Sequence, residues 1–156
     1  MMLVMFVLIV VSSIGINAFV SVEKQHLKKV TVELRDEIRA MQRLSMSERR
    51  QYNLDFLFGE DSECNQYEIS YFDEKEQCWV RVKSVTFPKG IRLVFTNTPK
   101  GTLRYTTRGT IASGACTIVL GSENYKIAIT LNVGVGRTST KEIISADEFF
   151  PAEERQ

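Results

Sequence analysis

The first twenty-two residues contain no charged side chain, and the first ionised group is Glu23. Residues 1–11 are unbroken aliphatic and aromatic, and only Ser12, Ser13, Gly15, Asn17 and Ser21 dilute the remainder. A helix rises about 1.5 Å per residue and a bilayer's hydrocarbon core is about 30 Å thick, so about 20 such residues span it. A chain that opens this way must place the segment in lipid, in a bundle of other helices, or lose it. The rival reading is a cleaved secretory signal, which begins with a basic region and ends in small residues. No Lys or Arg precedes the apolar run, and Ile16, Asn17 and Ala18 make a mediocre cleavage site, which favours a retained helix. A core helix of a soluble protein fits so long an uncharged run least well.

The helix should continue past Glu23, because residues 23–51 are charged, free of Gly and Pro, and rich in helix formers. Leu27, Val30, Leu34, Ile38, Met41 and Leu44 recur at spacings of three and four, which draws an apolar stripe for packing on a sheet. Lys24, Lys28, Arg35, Asp36, Arg39, Arg43, Glu48 and Arg49 occupy the other side. One rod of about 50 residues, about 75 Å long, results. It is naked and apolar at its start and amphipathic afterwards, so it needs two different partners.

From Asn65 onward the apolar period changes to two, the mark of half-buried strands. Tyr67, Ile69 and Tyr71; Cys78, Val80 and Val82; Ile91, Leu93 and Phe95; Leu103 and Tyr105; Cys116, Ile118 and Leu120; and Tyr125, Ile127, Ile129, Leu131, Val133 and Val135 each hold one face. Turn residues at 73–76, 88–90, 97–101 and 121–124 separate them. Such short connections predict antiparallel meander or hairpin pairing. Covering the sheet's apolar face with the helix stripe buries both, giving an α+β fold: a long N-terminal helix, membrane-spanning then amphipathic, packed on an antiparallel β-sheet. The expected divisions are the membrane or filament-core part of the helix at 1–22, its amphipathic part at 23–52, a globular β domain at 53–145, and a weakly ordered tail at 146–156. Phe149 and Phe150 lack an obvious partner in that tail.

An uncharged helix at the N-terminus, an amphipathic continuation and a small antiparallel sheet together resemble the type IV pilin and pseudopilin families. The series Gly109-Thr-Ile-Ala-Ser-Gly, Cys116-Thr-Ile-Val-Leu, Tyr125-Lys-Ile-Ala-Ile-Thr-Leu and Gly134-Val-Gly136-Arg137 is similar to the GspH/FimT type of minor pseudopilin. The family's basic leader, Gly-Phe processing site and early glutamate do not appear in this sequence. Residues 1–11 align with the stretch that follows that glutamate, so we expect the reading frame to extend upstream of Met1. Such a leader would also resolve an orientation conflict, because Lys24, Lys28 and Lys29 follow the helix and would otherwise draw that end to the cytoplasm. The resemblance implies a minor pilin or pseudopilin of a type IV pilus, type II secretion or DNA-uptake (competence) filament. Its helix is held in the inner membrane before assembly, then packs on other pilin-like subunits through Leu3, Phe6, Val7, Val10, Ile14 and Phe19. The resemblance further implies a prepilin peptidase, methylation, an assembly platform and an extracytoplasmic C-terminal domain.

Little else in the chain suggests chemistry. Lys+Arg 20 against Asp+Glu 19 leaves no global field for nucleic acid, and three Cys with one His are too few for a disulfide scaffold or a zinc cage. His26 lies on the polar helix side without an orienting partner. The alternation around Cys116 points it into the core, as an inert thiol. A turn centred near Glu74 would set Cys78 opposite Ser70, about 20 Å from Cys64, which favours free thiols unless the loop before Asn65 folds back to bring the two together. Residues 134–141 lack the Gly-Lys-Ser/Thr order of a phosphate loop and read as a strand. Asp55, Glu60, Asp61 and Glu63 lack EF-hand spacing and read as a solvated loop. Arg35, Arg39 and Arg43 form a basic helix edge that Asp36 and Glu33 can offset. No catalytic, cofactor or metal residues are assigned. The alternative reading is a membrane-anchored extracytoplasmic binding domain that takes DNA through Arg137, Arg108, Arg104 and Arg92. It is the weaker one: the resemblance to FimT-type members, some of which bind DNA through basic residues around a terminal Gly-Arg signal, implies a second basic residue after Arg137, and Ser139 stands in its place.

Overall fold

The computed structural model describes residues 2–59, 64–112, 114–132 and 138–143, with side chains between 22 and 132. A single helix, α1, runs from Met2 to Glu48. Leu27, Leu34, Ile38 and Met41 are at most 1% exposed and Val30 is also buried, so one stripe carries the packing. The next position on that line is Ser45 rather than Leu44. Ser45 is fully buried, with its hydroxyl donating to the Gln42 carbonyl at 2.7 Å, whereas Leu44 is 40% exposed. The 3.6-residue period explains the difference: the line steps through 34, 38, 41 and 45, and Leu44 sits about 100° off it. Thr31, also buried, donates to the Leu27 carbonyl at 2.8 Å and so needs no outside partner. The helix ends at Glu48, three residues short of the expected Gln51, where Arg49 takes a left-handed turn at φ 53. Tyr52 then donates its hydroxyl to Glu48 at 2.8 Å, and burial, assisted by that carboxylate, pushes the phenol up to about 12.

Among the described residues eight strands follow: β1 (Tyr52–Phe58), β2 (Cys64–Asp73), β3 (Cys78–Thr86), β4 (Arg92–Thr96), β5 (Thr102–Tyr105), β6 (Cys116–Gly121), β7 (Lys126–Leu131) and β8 (Thr138–Ile143). All their pairings are antiparallel, in the order β5-β1-β2-β4-β6-β7-β8, with β3 also pairing β2. Among the described residues β2 and β4 meet at the pair Cys64↔Leu93, which joins β5, β1, β2 and β3 to β4, β6, β7 and β8. The helix lies across β1, β5, β6 and β7.

Three details correct the sequence reading. First, β1 is a strand where none is expected, although Tyr52, Leu54 and Phe56 alternate inward with Asn53 and Asp55. Because β1 needs a second neighbour, the chain is not a plain meander: after β4 it crosses to the far edge, pairs as β5 with β1, and returns as β6 beside β4. The crossing turn Pro99–Gly101 lies over the end of β1, and a Cβ on Gly101 would stand 2.8 Å from the Phe58 ring. Second, the β2–β3 turn occupies 74–77, and Asp73 caps it by accepting from the Lys75 amide at 2.9 Å. Cys78 therefore opposes Asp73, and Ser70 opposes Arg81 after a bulge at Ile69/Ser70. That puts Cys64, buried at the other end of β2, about 30 Å from exposed Cys78, and both are free thiols. Third, a bulge between Leu93 and Phe95 turns Phe95 to the outer face, where it packs on Val119 and Ala128. Val82, on the edge strand β3, is 57% exposed rather than inward.

The core is formed where Leu54, Phe56, Leu103, Tyr105, Ile118, Leu120, Ile129 and Leu131 meet the helix stripe. Val133, Val135 and the tail at 146–156, with Phe149 and Phe150, lie outside the described residues. Because Ile38 is enclosed and Leu44 is not, Ile38→Ala should cost about 2–5 kcal/mol and Leu44→Ala within about 0.5 kcal/mol. Denaturant titration followed by Trp79 fluorescence measures both. Equal losses would contradict the assigned stripe.

Candidate functional site

The candidate feature of this fold is a surface, namely the helix and the contacts that fix it to the sheet. Besides the Tyr52 hydroxyl on Glu48, three polar contacts among the described residues tie α1 to residues distant in the chain. At its near end Glu23 accepts from the backbone and side-chain amides of Asn124 at 3.3 and 3.0 Å, in the β6–β7 turn. Mid-helix, Glu37 forms an ion pair with Lys83 of β3. Further on, the Gln42 amide donates to the Gly109 carbonyl at 2.9 Å. Glu23 and Gln42 are about 28 Å apart along the axis, so a sliding or tilting motion of the helix would break at least one contact. Lys24 adds a cation over the Tyr125 ring, 5.7 Å from its centroid.

Two of the anchors on the sheet side belong to tight turns. Gly109 sits at φ 73, and a Cβ there would stand 2.6 Å from the Met46 side chain, so the turn closes directly on the helix. The turn itself is held by the Gly109 amide on the Thr106 carbonyl and the Thr106 amide on the Thr110 carbonyl, both at 2.9 Å. At the other turn, hydrogen bonds from Asn124 and then Ser122 hold the Glu23 carboxyl below its ordinary range, by favouring the charged form. Nothing in the sequence pattern marks Gln42, Lys83 or Asn124, because each contact joins residues far apart in the chain. Only the glycine inside Arg108-Gly109-Thr110 is a usable signal.

The remaining candidate residues are dispersed. Leu3, Phe6, Val7, Val10, Ile14 and Phe19 lie on helical backbone, and their side chains are outside the described residues. Among the described residues no helix is long and apolar enough to cross a membrane, and the side chains of the uncharged run of α1 fall outside them. Arg104 donates to Asn53 at 2.9 Å and lies 5.2 Å from the Trp79 ring centroid, on the outer face of the sheet. Arg92 begins β4, three steps along the strand order from β5, and Arg108 is exposed in the turn beside the helix. The described arginines thus share no single groove, and Arg137 lies outside the described residues. Arg35 pairs with Asp36 at 3.2 Å, while Glu33 approaches Lys29 at 3.9 Å.

His26 is exposed on the helix. Cys116 is buried, and burial pushes its thiol up to about 11, which makes it a poor nucleophile. Burial likewise raises Tyr105, whose hydroxyl finds no hydrogen-bond partner among the described residues. Asp55 accepts from the Thr102 hydroxyl at 2.6 Å, and Glu60, Asp61 and Glu63 are outside the described residues. Among the described residues no group of three or more His, Cys, Asp or Glu side chains is placed to hold a metal.

The fold is similar to those of solved structures. The minor pseudopilin EpsH from the type 2 secretion system of Vibrio cholerae aligns with a TM-score of 0.60 at 9% identity, over 75% of this chain and 97% of that one. A second EpsH structure gives 0.59 at 10% identity, over 80% and 99%. The type IV minor pilin FimU of Pseudomonas aeruginosa gives 0.61 at 14% identity, over 79% and 96%. No protein-family model and no curated protein matches the sequence. At these identities the likeness defines the fold, and the chain has the α+β fold of the minor pilins and pseudopilins.

The Glu23 contact makes a pH prediction. A carboxyl whose folded pKa is lowered contributes stability above its unfolded value, near 4.5, and loses it as pH falls through the lower folded value. The protection factor of the Asn124 amide, taken against its intrinsic exchange rate at each pH, should therefore fall below that range, and Glu23→Gln should remove most of that pH dependence. Gly109→Ala should destabilise the chain by about 1 kcal/mol or more, since the left-handed backbone and Met46 both oppose a side chain there. A neutral effect in denaturant titration would contradict the close turn.

Proposed function

We propose that this chain is a non-enzymatic minor pilin or pseudopilin, a structural subunit of a type IV pilus or type II secretion filament. The observation that carries this is the division of α1. Its described contacts with the sheet begin at Glu23, while the helix continues N-terminally for about 20 residues, about 30 Å, through the uncharged sequence. That segment is long enough to be stored in a bilayer and later packed against equivalent helices. One apolar surface then serves both states, since neighbouring helices cover again the side chains that leave lipid. The likeness to EpsH and FimU supports the same reading.

In this role the sheet domain is extracytoplasmic, carried on the filament surface or tip, and the clamp from Glu23 to Gln42 fixes its position relative to the packed helices. The partners are other pilin-like subunits through Leu3, Phe6, Val7, Val10, Ile14 and Phe19, and lipid before assembly. A prepilin peptidase, methylation and an assembly platform belong to the same proposal. The test is fractionation of cells expressing the full chain together with the neighbouring pilin-like subunits. The wild type should partition between membrane and sheared filaments. Val10→Lys, which puts a charge costing about 3 kcal/mol at the centre of the apolar segment, should be absent from both. Recovery of Val10→Lys in filaments at the wild-type level would contradict the proposal.

A further inference from the structure

β3 runs for nine residues, pairs with β2 on one side and meets no strand on its other side among the described residues. Such an edge offers a row of backbone N–H and C=O groups to any strand that comes near, above all to the same edge of a second copy. Exposed Trp79 and Val82 add apolar surface to it. The strand at the far end of this part of the sheet, β5, is covered by its own chain. Tyr105 bridges to Ile111, and the Ala112 amide donates to the Arg104 carbonyl at 2.9 Å, so residues 106–112 turn back along it. β3 has no such cover among the described residues and must be protected in another way.

Two features at its middle do this. The first is the bulge: Ile69 faces Lys83 and Ser70 faces Arg81, so Val82 is an extra residue with no partner on β2. Trp79 and Arg81 before it and Ser84 and Thr86 after it lie on the outer face, which sets the stretches 78–81 and 83–86 in different frames. An added strand can match one stretch but not both, and each is shorter than an ordinary strand of about 5–6 residues. The second feature is charge. Arg81 is held by Glu68 at 2.8 Å on the outer face, and Lys83 by Glu37 of α1 on the inner face, so both cations stay fixed beside the edge with their side chains 66% and 48% exposed. With Val82 set aside, the two antiparallel registers that overlap most bring Arg81 opposite Arg81, or Lys83 opposite Lys83, of the second copy. Like charges directly opposite destabilise a strand pair. Registers that avoid this retain about five residues or fewer, which is marginal for pairing.

We infer that the Val82 bulge, together with Arg81 and Lys83, closes the β3 edge against a second copy of this chain. Copies held side by side are therefore kept from joining strand to strand, and their association is left to other surfaces. The Glu68 and Glu37 carboxylates have a part in this beyond stability: each holds one cation at the edge where a free side chain would swing away. The inference stands whether or not the apolar run of α1 enters a bilayer, since it concerns the sheet alone.

Spin labelling of the full chain, kept in detergent, tests this. With exposed Cys78 changed to Ser, a label at Ser84→Cys comes within about 15 Å of its counterpart in either of the two fullest registers, close enough to broaden its spectrum. Cys64 and Cys116 are buried and stay unlabelled. The chain with its bulge and cations intact should show at most a trace of broadening. A chain lacking Val82 and carrying Arg81→Thr and Lys83→Thr should show it in about tenfold more labels, and dilution with unlabelled chains should remove it. Deleting Val82 leaves every remaining pair with β2 in place, and cooperative unfolding followed by Trp79 fluorescence verifies the fold. The Val82 deletion alone and the two Thr substitutions alone each remove one guard and should give intermediate broadening, so the test does not hang on one variant. Equal broadening in the intact and opened chains, or none in any opened chain that unfolds cooperatively, would overturn the inference.

Discussion

The structure depends on one apolar line, Leu27, Val30, Leu34, Ile38 and Met41, enclosed by the inner face of the sheet. Each fully buried aliphatic side chain stabilises by about 1.5–3 kcal/mol relative to exposure, and neither partner could remain in water without the other. The sheet supplies Leu54, Leu103, Ile118, Ile129 and Leu131 from strands that are distant in sequence, so the helix also selects how those strands assemble. Its rotation is set by that line, and its axial position by the polar contacts at Glu23, Glu37 and Gln42. Packing and polar contacts divide the work: the apolar line gives most of the free energy and the polar anchors give the register.

That division gives the rest of the chain its meaning. A helix fixed at Glu23 must carry any N-terminal continuation as a rigid extension of set direction relative to the sheet. In the proposed role, a subunit built so packs its apolar segment among other helices and presents its sheet domain at a set height and angle. Among the described residues the two halves of the sheet pair at Cys64 and Leu93, and the helix covers strands of both. The outer face carries its own layer, with Trp79 edge-on to Phe72 and beneath Arg104, and Asn53 enclosed below them.

Much of this is legible in the sequence where the signal is local. The helix stripe from Leu27 to Met41 and the alternations of Ile118 with Leu120 and of Ile127, Ile129 and Leu131 follow directly from periods of 3.6 and two. Leu44 misleads because spacings of three and four are both compatible with a helix, and only Ser45 in place shows which way the line turns. β1 is hard to see because Asp55 groups naturally with the acids that follow it, which hides the alternation of Tyr52, Leu54 and Phe56. The crossover to β5 and the anchors at Lys83 and Asn124 leave no local trace, since contacts between distant segments impose no periodicity. Bulges at Ile69 and Leu93 shift faces by one residue, which pattern reading alone does not register.

The central claim is that α1 serves two partners, the sheet from Glu23 onward and lipid or other helices before it. Spin labels placed singly at Phe6, Val10, Ile14, Leu34 and Ile38 in the full chain, reconstituted in bilayers, test this through their collision rates with oxygen and with a water-soluble relaxant. The account predicts that labels at 6, 10 and 14 meet oxygen and not the water-soluble agent, and that labels at 34 and 38 meet neither. Labels at 6, 10 and 14 open to the water-soluble agent would contradict it.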